Sequence, residues 1–88
     1  MKLRYKFETV DMQDEIIAVA VGENAEKVKG VVKLNKSGLE IFNMLQNDTS
    51  IDAVVNVLAQ EYDDEKQELY DYTNRFISIL NSSGLIVE

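Results

Sequence analysis

Residues 30–45 read GVVKLNKSGLEIFNML, and the character of the chain changes within them. Val31 and Val32 form a β-branched run that passes through Leu34 and Asn35 directly into an amphipathic segment. Ahead of Asn35 apolar and polar residues alternate as they do in strands; beyond it every periodic stretch is helical. The junction divides a small N-terminal sheet from a three-helix unit. The strand just before Asn35 is the expected working surface.

Toward the N-terminus, Leu3, Tyr5 and Phe7 alternate with Lys2, Arg4, Lys6 and Glu8, the pattern of a half-buried strand. Asp11 to Glu15 is polar enough for a turn. Ile16 to Val21 predicts a second strand, with Ile17, Val19 and Val21 on one face. Ile16, Ala18 and Ala20 line the other, which is smooth enough to be covered. Gly22 to Gly30 is a loop, and Val31 to Leu34 a third strand. Such a three-stranded antiparallel meander needs helices against one face to be stable.

Toward the C-terminus, Asn35 is placed to cap a first helix whose apolar stripe is Leu39, Phe42 and Leu45, with Ile41 and Met44 beside it. Thr49 or Ser50 caps a second, carrying Ile51, Val54, Val55, Leu58 and Tyr62 at helical spacing. Asp63 and Asp64 begin a third, with Leu69, Tyr72, Thr73, Phe76, Ile79 and Leu80 as its stripe. Gly84 stops it. Leu85 to Val87 is a short apolar tail that packs beneath the helices or adds a stub of strand. The order β-β-β-α-α-α predicts one α+β domain over residues 1–88, with a grammar related to winged-helix modules.

At 88 residues, 45% of them apolar and 28% charged, the chain can build one modest core. It has no cysteine and no histidine, which removes thiolate chemistry, the usual neutral-pH base and the commonest metal ligand. The longest apolar run, Ile16 to Val21, is far short of a membrane span, and residues 1–10 lack the apolar core of a signal peptide. No membrane association and a cytoplasmic location are expected. The net charge of −7 is unevenly placed: residues 1–36 carry seven basic and six acidic side chains, residues 37–88 two basic and ten acidic. Lys27, Lys29, Lys33 and Lys36 form a basic run beside the third strand.

Little in this composition supports catalysis. Ser37 and Ser50 have no histidine partner and sit where helix starts need them. Asp63, Asp64 and Glu65 lack the alternating ligands and central glycine of a calcium loop, and carboxylates at a helix start answer the macrodipole. Neither a metal nor any other cofactor is expected, and the chain reads as a non-enzyme. DNA binding is what three helices after a small sheet would invite, making a winged-helix regulator the alternative function. Its recognition helix would read DDEKQELYDYTNRF, and so acidic a surface repels the phosphates on which such affinity rests. Nucleic acid is therefore not an expected partner.

The third strand offers more. At a sheet edge it leaves a row of N–H and C=O groups unpaired, and its lysines either guard that edge or steer a peptide onto it. Composition alone leaves these two readings balanced. Self-association through the same edge, giving a homodimer, is a third.

Leu34-Asn35, Ser37-Gly38, Ile41-Phe42, Ser50-Ile51 and Leu80 with Gly84-Leu85 form an ordered set whose spacing resembles the PqqD family, named for the coenzyme PQQ synthesis protein D. The likeness runs over roughly residues 5 to 87. Two positions depart from the family pattern: Asn47-Asp48 stands where an Asp-Gly turn is usual, and Tyr72-Thr73 where Asp-Val is usual. The resemblance implies a recognition element for ribosomally made, post-translationally modified peptides. Such a domain binds the leader segment of a precursor peptide and presents it to a modifying enzyme, commonly a radical SAM enzyme or a peptidase or cyclase. It also implies that the leader adds antiparallel to the third strand, in a groove against the third helix. By position the strand side is Lys29, Gly30, Val31, Val32, Lys33 and Leu34. The helix side is Tyr72, Arg75, Phe76 and Ile79, with the opposite flank, Tyr70 and Ile77, left open.

The energetics of that mode assign the walls a role. Ordering a leader costs about 1–2 kcal/mol per residue in backbone entropy. Each new main-chain hydrogen bond returns only about 0.5–1.5 kcal/mol. Strand addition alone roughly breaks even, so affinity must come from apolar side chains entering pockets, at about 1.5–3 kcal/mol each. Val31 or Val32, Leu34, Phe76 and Ile79 are the expected walls, with Phe76 also a core residue by its periodicity.

Overall fold

The computed structural model describes residues 1–88. The expected meander is present: β2 (Lys6–Met12), β3 (Glu15–Val21) and β4 (Val32–Leu34) form an antiparallel sheet in the order β2-β3-β4. The first strand is broken, however, and its leading piece, β1 (Lys2–Leu3), leaves the sheet to pair antiparallel with β5 (Ile86–Val87). The apolar tail thus does both things expected of it, since Leu85 and Ile86 are buried while Ile86 and Val87 form strand. Arg4 fastens this small ribbon, its N–H donating to Leu85 O at 2.8 Å and its Nε to Gly84 O at 3.1 Å.

Three helices follow: α1 (Lys36–Met44), α2 (Ile51–Glu61) and α3 (Lys66–Ser82). Asn35 caps α1 through Oδ1, which accepts from Gly38 N at 2.8 Å, and Ser50 caps α2 by accepting from Ala53 N at 3.1 Å. The end of α3 is a Schellman turn. Gly84 takes φ +76° there, its N–H donates to Asn81 O, and Leu85 N–H donates to Leu80 O. The start of α3 lies later than its acidic prelude suggests. Asp63 and Asp64 precede the helix, Glu65 is its capping position without a side-chain bond, and only Glu68 stands in the first turn.

The covered sheet face is the smooth one. Ala18 is fully buried, and Ile16 and Ala20 pack on a core that includes Phe7, Ile41, Phe42, Leu45, Val54, Val55 and Leu58. Phe42 meets Phe7 edge to face with ring centroids 5.0 Å apart, which ties α1 to β2. On α3 the buried stripe is Leu69, Thr73, Ile77 and Leu80, whereas Ile79 is 67% exposed. The stripe read from sequence is turned by part of a helical step, because apolar residues flank it on both sides. Thr73 carries a consequence for stability, since its Oγ1 is buried without a hydrogen-bond partner. A buried unsatisfied hydroxyl costs about 1–3 kcal/mol. Thr73→Val keeps the shape and removes the hydroxyl, so thermal unfolding should show a gain of about 1 kcal/mol, or roughly 4–8 °C in Tm. An unchanged or lower Tm would mean the hydroxyl is satisfied in solution.

Candidate peptide-binding site

Within the meander β4 pairs on one side only, through Ile16↔Leu34, Ile17↔Lys33 and Ala18↔Val32. The chain's own tail is engaged elsewhere, on β1. Outside the ladder to β3, no backbone hydrogen bond engages Lys29 to Leu34. The second edge of β4 is therefore open. Along it Val31 is 49% exposed, Val32 half-buried, and Leu34 buried as the anchor to the core. Gly30, at φ +78°, makes the turn by which the chain enters this strand from the loop.

Helix α3 reaches the end of β4 through Tyr72 and Phe76, one turn apart on the same flank. The Tyr72 hydroxyl donates to Asn35 Oδ1 at 3.2 Å and lies 2.9 Å from Ser37 Oγ. Phe76 lies over Gly38 so closely that a Cβ there would meet its Cε1 at 3.2 Å, and Asn35 Oδ1 at 3.0 Å. Position 38 is glycine because α3 comes this near. Phe76 is half-buried against the core, and Ile79 continues the flank outward into solvent. The opposite flank is occupied: Ile77 is buried, and the Tyr70 hydroxyl is bonded to Asp52 of α2. That bond and burial push the Tyr70 phenol above its ordinary range.

Between the start of α1, the end of α2 and the first half of α3 opens a cavity of about 420 Å³. Leu58, Leu69, Tyr62 and Tyr72 supply its apolar and aromatic walls. Asp64, Glu68 and Asp71 stand around it with Arg75 as the one cation, and Arg75 makes no ion pair. Of the residues named from sequence, Tyr72 and Arg75 line this cavity, Phe76 and Leu34 meet beside it at Gly38, and Val31 and Ile79 remain exposed apolar surface. The acidic and aromatic lining was not visible in the sequence, where its members are divided between the α2–α3 connection and α3 and each has an ordinary local explanation.

The charge runs from basic to acidic along this face. Lys29 makes no ion pair, and Lys33 only a loose one with Glu15 at 3.9 Å. Behind the cavity the Tyr62 hydroxyl donates to Glu40 Oε1 at 3.3 Å. Burial and that carboxylate push the Tyr62 phenol up. A hydrogen bond shared with Glu40, together with its charge, pushes the Glu61 carboxyl above its ordinary range. Glu40 Oε2 is buried without a donor unless Glu61 brings a proton. An acid whose pKa is raised on folding makes the fold less stable as pH climbs from its unfolded value, 4.5, through its folded one. Glu61→Gln keeps a donor and removes the charge. Unfolding measured across this window should be flatter with pH in the variant, which should be the more stable at neutral pH. A parallel profile for the two proteins would show the pair to be uncoupled.

A family model for PqqD, the coenzyme PQQ synthesis protein D, matches residues 15–86. The chain belongs to the PqqD family. Among solved structures, this PqqD-family fold is similar to TbiB1, whose structure was solved in complex with the TbiA(beta) leader peptide. The TM-score is 0.75 over 97% of this chain and 93% of that one, at 16% sequence identity. A comparison with curated protein sequences gives no match. No helix of the family member described here is long and apolar enough to cross a membrane.

Proposed function

We propose that this protein is a non-catalytic adaptor that binds the leader segment of a ribosomally synthesised precursor peptide and presents it to a modifying enzyme. The observation that carries the reading is the open edge of β4, with Tyr72 and Phe76 of α3 reaching Asn35 and Gly38 just beyond its end, in a chain of the PqqD family. A leader peptide bound to TbiB1, a protein of like fold, is consistent with it. The leader adds as a strand antiparallel to β4, its N–H and C=O groups filling the vacant row. Alternate leader side chains lie on the Val32 and Leu34 side of the strand, toward Phe76, where apolar burial supplies the affinity that hydrogen bonds do not. The enzyme partner is of the radical SAM, peptidase or cyclase kind, acting on the precursor core while the leader is held.

The test is a titration of isotope-labelled protein with candidate leader peptides sought in its gene neighbourhood. Amide resonances of residues 31–34 and 72–79 should move most. Shifts confined to β2, the other edge of the sheet, would overturn the assignment. The lysines contribute to encounter more than to affinity, since exposed pairs are worth about 0.2–1 kcal/mol each and are screened by salt. The Lys29→Glu, Lys33→Glu double variant should bind an acidic leader more weakly at low salt and nearly as well as the parent at high salt. Equal binding at low salt would remove the electrostatic role.

A further inference from the structure

Ser37, on the rim of the cavity, stands three residues beyond the end of β4, the end at which an added antiparallel strand would begin. Leu34 ends β4, Asn35 and Ser37 follow it, and Ser37 with Tyr72 forms the near wall. A strand antiparallel to β4 has its N-terminal residues opposite Leu34, so the first leader side chain past that point arrives at the cavity mouth. At about 420 Å³ the space is at the lower end of ligand pockets, room for one large side chain and not for a further element of structure. Its walls and its charge do not suit the same kind of residue. Tyr62, Tyr72, Leu58 and Leu69 ask for an apolar stem or a planar group, whereas Asp64, Glu68 and Asp71 outnumber Arg75 and ask for a positive tip.

We infer that this cavity receives one lysine or arginine side chain of the leader, upstream of the segment paired with β4. The inference rests on the proposed leader-binding reading and gives it a direction. A basic side chain lays its methylenes along Leu58 and Leu69, places its charge over the tyrosine rings, and ends among the carboxylates. The next part of the leader then passes Lys33 and Lys29, which favour acidic residues. Basic first and acidic after is the charge order the protein reads, and a leader bound the other way round would meet like charge at both ends. Glu40, linked to the cavity wall through the Tyr62 hydroxyl, adds to the negative field from behind.

The test uses a random library of short peptides displayed on phage and panned against the protein at low ionic strength. Three targets are compared: the parent, an Asp64→Asn, Glu68→Gln, Asp71→Asn variant, and a folded variant with proline in the open edge of β4. The expected pool is lost on the proline variant and carries Lys or Arg at one position N-terminal to its apolar alternation. That enrichment disappears on the neutralised variant. A single selected peptide should bind the neutralised variant about tenfold more weakly, and its Lys→Met form should bind both alike. A pool that needs the β4 edge yet shows no basic position, or keeps it on the neutralised variant, overturns this inference and leaves the adaptor reading intact. Failure to recover any pool that needs the edge overturns both.

Discussion

One of the two variants Val32→Pro and Lys33→Pro should fold normally and lose leader binding by at least about 100-fold, roughly 2.7 kcal/mol. In an antiparallel ladder successive N–H groups point alternately toward the neighbouring strand and away from it. Of Val32 and Lys33, therefore, one donates to β3 and the other faces the vacant side. Proline at the vacant-facing position removes no bond of the free protein, and edge strands tolerate it there. For an arriving leader it removes a donor, strands a carbonyl at about 1–3 kcal/mol, and puts a ring where the peptide backbone must lie. The other variant loses a ladder bond and should instead melt early. Calorimetry or fluorescence titration with the leader, read beside thermal unfolding, separates the two. If both variants fold and both bind like the parent, strand addition at β4 is excluded.

How much of this was legible in the sequence depends on how local each signal is. Asn35, Ser50 and Gly84 were readable because a cap is a contact between residues close in the chain. The smooth face of β3 was readable because Ile16, Ala18 and Ala20 alternate with bulkier neighbours. The ribbon of β1 and β5 was not, since two-residue strands joined across the whole chain leave no periodicity of their own. The phase of α3 was misjudged at one point. Ile77 belongs to the buried stripe and Ile79 lies outside it, and only the packing of the other elements shows which of the two is covered. Tyr72 and Phe76 could be set on one flank by spacing, but their approach to Asn35 and Gly38 is a tertiary fact. The family resemblance supplied what spacing lacked, and the match over residues 15–86 supports it. Why Gly38 must be small emerges only when the ring of Phe76 is seen above it.

Phe42→Ala should be the most damaging single truncation in the molecule, at about 3–5 kcal/mol. Phe42 is the largest of the fully buried side chains, and its ring is the one that meets Phe7 of β2 edge to face. Deleting it opens a cavity between α1 and the sheet and removes an aromatic pair worth about 0.5–1.5 kcal/mol beyond area burial. Domains of this size have only about 5–15 kcal/mol in total, so the variant should melt some 15–30 °C lower or unfold without a cooperative transition. The consequence for function follows from chain continuity, because β4 passes into α1 with only Asn35 between them. If α1 loosens from β2, the edge of β4 and the Tyr72–Phe76 flank no longer hold their spacing, and leader binding should weaken even at temperatures where the variant is still folded. Phe42→Leu, which retains most of the volume, should restore both stability and binding together. Binding that survives in a folded Phe42→Ala protein would show that β4 keeps its position without α1 behind it, and the site would then rest on the meander alone.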